Sequence, residues 1–160
     1  MGEKRKKLVS LRMSTTDLRK IKEIAKRLNV RESDVLRFAI RSTLIKLAPL
    51  HEGSAKGIDL MPAFIECGGD LCAHFGIDVE QLHEIINAGV EDTDKRVERD
   101  DVGLLALAGA PEHLVMSRLR RVAETPADVA GPHSLLRRYL MEKYATRQAG
   151  RDDPLVATSV

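Results

Sequence analysis

The sequence predicts a mainly α protein, with one short strand and two helices at the N-terminus and an all-α C-terminal domain behind them. Three observations predict it. Apolar residues recur at helical spacing through most of the 160 residues. The only clear period-two run is KLVSLRM, residues 7–13. Charge also divides the chain. Residues 1–47 carry 14 Lys/Arg against 5 Asp/Glu, a balance of +9, while residues 48–160 carry 12 against 19, a balance of −7. A basic head on an acidic body implies that the head meets a polyanion and that the body has another task.

In chain order, Lys4, Arg5, Lys6 and Lys7 lead into the alternating run, which places Val9, Leu11 and Met13 on one face and Leu8, Ser10 and Arg12 on the other. Ser14-Thr15-Thr16-Asp17 then supplies a capping residue and, three positions on, an acid. Leu18, Ile21, Ile24, Ala25 and Leu28 follow at helical spacing, opposite a face that carries Arg19, Lys20, Lys22, Glu23, Lys26 and Arg27. Asn29 suits the left-handed position that ends helices. A second helix starts near residues 31–33, with Val35, Leu36, Ala39, Ile40, Thr43, Leu44 and Leu47 on a broad apolar face, and Pro49 stops it.

These signals divide the chain into a head at 1–48, a linker at 49–59, a helical body at 60–146 and a disordered tail at 147–160. Within the body, residues 60–75 are apolar but interrupted by Gly68-Gly69. Asp78 with Gln81 forms a capping box that opens a helix ending at Gly89. Residues 91–101 are charge-rich and expected to be exposed. Residues 102–109 are apolar, Pro111 opens a helix, and Gly131-Pro132 opens the last one, with Leu135, Leu136, Tyr139, Leu140 and Tyr144.

Composition excludes several classes. Hydrophobic content of 43% supports a folded core, but aromatic content is 3% and Trp is absent. Few rings are available to stack on single-stranded bases, which counts against an RNA-recognition sheet. Two cysteines give no disulfide framework. No apolar run reaches membrane-span length and no secretory apolar region follows the basic start, so a cytoplasmic protein without a membrane partner is expected.

Two helices and one strand cannot close a useful core, and the strand has two unpaired edges. Both needs are met if two copies pair their strands antiparallel, with four helices over one face of the ribbon. KLVSLRMS–TTDLRKIKEIAKRLNV–RESDVLRFAIRSTLIKL resembles the ribbon-helix-helix family of Arc/MetJ/CopG type over about residues 5–47. The resemblance implies a homodimer whose ribbon enters the DNA major groove. It implies a dimer core of Val9, Leu11, Met13, Leu18, Ile21, Leu36 and Ile40, and base contacts from Leu8, Ser10 and Arg12. Lys4, Arg5, Lys6 and Lys7 would follow phosphates, joined at the second helix's start by Arg31 and Ser33. The family usually has a small hydroxyl residue where Arg31 stands and often a basic residue where Glu32 stands. Glu32 and Asp34 suit the helix dipole but repel a phosphate.

In the body, Cys67, Cys72 and His74 stand as CGGDLCAH, residue types that bind soft metals. Their spacing matches no common zinc pattern, and a reduced Cys is often a small buried hydrophobe. No resident metal or cofactor is therefore expected. Ser134 beside His133 lacks a glycine elbow and an acid, and Gly68-Gly69 is too short for a phosphate loop, so nothing argues for an enzyme.

The sequence thus points to a homodimer or higher homo-oligomer that binds double-stranded DNA at pseudo-palindromic sites. The expected role is a bacterial transcriptional regulator acting as a repressor, nucleoid-associated when bound. Its body would oligomerise, sense a signal or bind a protein partner. The alternatives are an antitoxin or adaptor that autoregulates its promoter, and a DNA-architectural protein of plasmid partition or conjugation.

Overall fold

The computed structural model describes residues 8–122 and 131–149, and the chain divides into two compact units, Met1–Ile45 and Lys46–Val160. The described residues are mainly α, with eight helices and no strand. Residues 8–14 carry neither helix nor strand pairing, since a lone strand has no ladder partner within its own chain. Lys4, Arg5, Lys6 and Lys7 lie outside the described residues.

The first unit holds α1 (Thr15–Leu28) and most of α2 (Glu32–Lys46). Ser14 caps α1: its hydroxyl oxygen accepts from the Asp17 N–H at 3.1 Å and its O–H donates to the Asp17 carboxylate at 2.7 Å. At the other end Asn29 adopts the left-handed conformation, φ 54°, alone among the described non-glycine residues. The turn closes with Val30 N–H donating to Ala25 O at 3.0 Å.

The second unit begins with α3 (Ala48–His51) and a 3-10 turn at Gly57–Leu60. Gly57 and Ile58 are buried. The later part of the expected linker is therefore built into the body's core. Gly57 has φ +58°, and a Cβ there would lie 1.9 Å from the Lys95 carbonyl oxygen, so both backbone and space require glycine.

At the centre is α4 (Met61–Phe75). It packs against α6 (Arg99–Ala106), α8 (Pro132–Ala149) and the 3-10 turn Leu107–Gly109. The Gly68-Gly69 pair does not interrupt it. A Cβ on Gly69 would sit 2.7 Å from Gly109 N, whereas one on Gly68 would make ordinary contact with Phe64 at 3.6 Å. Gly69 lets two backbones approach; Gly68 has no such constraint.

The helix α5 (Val79–Asn87) opens on the expected capping box, with Gln81 N–H donating to Asp78 Oδ1 at 2.8 Å and Asp78 N–H to Gln81 Oε1 at 3.0 Å. Asn87 closes it and is buried. Its side-chain amide exchanges two 2.9 Å hydrogen bonds with the Val97 backbone, as a strand neighbour would, and pins the intervening loop. The charge-rich stretch 91–101 is thus not wholly exposed: Val97 and Asp101 are buried. After α7 (Glu112–Val122), α8 continues to Ala149, into the stretch expected as a tail; residues 150–160 lie outside the described residues. Ile58, Phe64, Leu82, Ile86, Leu104, Val115, Leu119 and Leu140 centre an almost wholly aliphatic core.

Gly69→Ala is expected to destabilise the body by about 1–3 kcal/mol in urea unfolding, through backbone overpacking. Gly68→Ala should be neutral or stabilise by up to about 1 kcal/mol. Equal effects of the two changes would refute the close approach.

Candidate nucleic-acid interface

The head is unusual in how little it buries. Ala25 is the only fully buried residue among its described residues. Of the expected dimer core, Met13, Ile21 and Leu36 are half-buried, while Val9, Leu11, Leu18 and Ile40 are exposed. The expected base contacts Leu8, Ser10 and Arg12 are exposed as well, so a single chain covers neither face of the alternating run.

The helix α2 explains the imbalance. At 3.6 residues per turn, Phe38 and Ile45 lie roughly 100–160° around the axis from Ile40 and Leu44. A surface helix needs an apolar stripe of about 100° to reach one core. Here apolar residues occupy most of the circumference, leaving a narrow polar stripe with Asp34, Arg37 and Arg41. Phe38 is 73% exposed, Leu44 65% and Ile45 75%. One neighbouring helix cannot cover both flanks. Each such side chain gains about 1.5–3 kcal/mol on burial, while ordering the backbone costs about 1–2 kcal/mol per residue. A helix pair with one buried alanine falls short, and a second surface is needed to complete it.

The same unit is strongly charged. Arg19, Lys20, Lys22, Lys26 and Arg27 are all exposed on α1. At the start of α2, Arg31 and Ser33 are exposed, but Arg31 is already engaged. Its Nε donates to Asp34 Oδ2 at 3.0 Å, and Arg37 donates to Asp34 Oδ1 at 3.0 Å. The hydrogen bond from Arg31 holds the Asp34 carboxyl below the usual carboxylate range and raises Arg31 in turn. A phosphate arriving at this corner must compete with Asp34 for both guanidinium groups.

In the body, Cys67 and Cys72 lie five residues apart on α4, half-buried and buried respectively. Burial pushes the Cys72 thiol up, away from the thiolate a metal requires. His74, at the end of α4, sits edge-on to Phe75. Among the described residues no three His, Cys, Asp or Glu side chains are grouped to hold a metal ion.

The densest polar cluster is one the sequence reading missed. Asp101, fully buried on α6, accepts from Tyr139 O–H at 3.0 Å, from Lys143 Nζ at 2.7 Å and from Tyr144 O–H. Lys143 also donates to Glu98 at 2.8 Å, and Glu98 N–H donates to the Tyr144 oxygen at 3.2 Å. Both tyrosines of the chain converge here. Burial, then the Asp101 hydrogen bond, raises Tyr144. Burial alone would lower Lys143, but its bonds to Asp101, Glu98 and Tyr139 outweigh that and raise it. With three donors on one carboxylate, the cluster is chemically a lock between α6 and α8.

Comparison with family models, with curated proteins and with solved structures finds no match to this chain.

Three outcomes are expected. Asp34→Asn should free Arg31 and Arg37 and delay elution of the chain from a polyanionic heparin matrix in a salt gradient; unchanged elution would refute the competition. Lys143 and Tyr144 hold their protons more tightly folded than unfolded, so the lock's contribution is complete below the ordinary tyrosine value of 10.0. It is lost as pH rises beyond there and beyond the ordinary lysine value of 10.5. Asp101→Ala should cost about 3–5 kcal/mol at neutral pH. Denaturation midpoints across pH 7–12 check both, and a body whose stability does not decline above about pH 10 would contradict the lock.

Proposed function

We propose that the chain is a homodimeric, sequence-specific DNA-binding transcriptional regulator, a repressor that reads the major groove with a two-stranded ribbon. The observation that carries the reading is the head's unclosed core. A +9 segment whose described residues bury one alanine needs a second surface, and a second copy of the same segment supplies an equal one. Pairing residues 7–13 of two chains satisfies the strand edges and covers Val9, Leu11 and Met13. The same step presents Ser10 and Arg12 outward, with Leu8 at the ribbon's end. Arg12 can donate to guanine O6 and N7, and Ser10 can exchange hydrogen bonds with several bases. Lys4, Arg5, Lys6 and Lys7 add affinity along the phosphates but little sequence choice.

The body favours a regulator over an antitoxin. Its core, from Ile58 to Tyr144, closes within a single chain, whereas antitoxin bodies of the resembled family are often disordered when free. In this reading it oligomerises, senses or recruits.

Selection of bound duplexes from a random pool with the full-length chain should return sites with two-fold symmetry. Arg12→Ala should then weaken binding to the selected site by about 1–3 kcal/mol while the dimer persists in sedimentation. Ile40→Asp should yield a monomer that has lost DNA binding. A full-length protein that stays monomeric at micromolar concentration, or an Arg12→Ala variant of unchanged affinity, would overturn the reading.

A further inference from the structure

A cavity of about 390 Å³ opens in the body between α6 and α7, beside the first residue of α5. That volume lies in the range of roughly 300–1,000 Å³ typical of small-molecule sites. Its construction follows from helical spacing. On α6, Asp100 and Leu104 fall at i and i+4, with Arg99 and Gly103 beside them, and Leu107 opens the 3-10 turn that follows. On α7, Arg118, Arg121 and Val122 fall at i, i+3 and i+4 and line the opposite wall.

The lining combines an apolar part with an excess of cationic side chains. Leu104 is buried, and Leu107 and Val122 are half-buried. The charges are not equivalent. Arg99 is paired with Glu80. Arg118 and Arg121 have no ion-pair partner among the described residues, although they stand one helical turn apart on the same wall. Two unpaired guanidinium groups beside an apolar surface are suited to a carboxylate, sulfonate or phosphate head. Asp100 is the one carboxylate in the lining, and it would accept a hydrogen bond from a donor on the ligand.

Gly103 is a second, independent observation. It stands inside α6, where glycine weakens a helix by roughly 0.5–1 kcal/mol relative to alanine. Its backbone does not require glycine, because its φ is not positive. Nor does packing, because a Cβ built there meets nothing within 4 Å. A glycine that neither conformation nor crowding demands, on the wall of a cavity, keeps that cavity open.

We propose that this cavity binds a small organic anion with an apolar body. The head pairs with Arg118 and Arg121, and the body lies on Leu104, Leu107 and Val122 in the space left by Gly103. The site is independent of the DNA reading, and its test needs no DNA.

Octanoate is the probe, titrated into the full-length chain by calorimetry, with 1-octanol and inorganic phosphate as the two half-ligands. Octanoate should saturate one site per chain, and each half-ligand should bind at least about tenfold more weakly. The paired change Arg118→Gln with Arg121→Gln should weaken octanoate about tenfold or more. Gly103→Leu, which adds bulk at a helical position where a Cβ meets no atom within 4 Å, should do the same while raising or preserving the thermal midpoint. The proposal is overturned by an absence of saturable heat, or by a half-ligand binding as tightly as octanoate. It is equally overturned if Gly103→Leu binds octanoate unchanged, which would place that binding on the exposed apolar surface of the head.

Discussion

Taking a carboxylate out of water costs several kcal/mol unless donors replace the lost hydration. Asp101 is that case, and the body is organised around meeting its demand. Tyr139, Lys143 and Tyr144 stand at i, i+4 and i+5 on α8, spread over roughly 140° of its circumference, and all three donors converge on this one carboxylate. The carboxylate fixes α8 against the start of α6. Lys143 extends the network to Glu98, and Asn87 holds the Val97 backbone next to it. The loop leading into α6 is thereby held at both ends. The buried core around it is chiefly aliphatic and non-directional, so this polar junction sets how α6 and α8 meet, while the hydrophobic residues supply most of the driving force.

Local signals were legible in the sequence because their physics is local. The Ser14 and Asp78 caps, the left-handed Asn29 and the helix starts after Pro111 and Gly131 all act within a few residues, where sequence spacing and spatial contact coincide. Three misreadings came from partners far along the chain. Residues 91–101 look solvated by charge alone, and nothing near Asp101 announces that donors lie 38 to 43 positions away. Gly68-Gly69 looks like a helix break, because the backbone that requires Gly69 is supplied by the turn at Leu107–Gly109. Gly57 and Ile58 look like linker for the same reason. A usable hint was present for Asp101: the chain's only two tyrosines sit together on one helix.

The candidate interface was legible in outline and incomplete in detail. The charge imbalance, the alternating run and the element order of the head can be read from the residues alone. The extent of the apolar arc on α2 is less obvious, because Phe38 and Ile45 fall outside the expected stripe and become conspicuous only when their exposure is seen. The internal pairing of Arg31 with Asp34 was also hidden. The sequence shows an acid near a helix start, which suits the dipole, but not that the same carboxylate takes up two guanidinium groups.

The placement of Tyr139 and Tyr144 gives the molecule a built-in optical probe. With no tryptophan, its near-ultraviolet signal comes chiefly from two rings, and both lie at a single junction. Tyrosine absorbance and emission therefore report whether α8 is docked on α6, and they are blind to the head. Far-ultraviolet dichroism, by contrast, sums over the helices of both units. Agreement between the two signals through a thermal transition means that the units melt together. A separation resolves the head's transition from the body's without any label, cut or substitution.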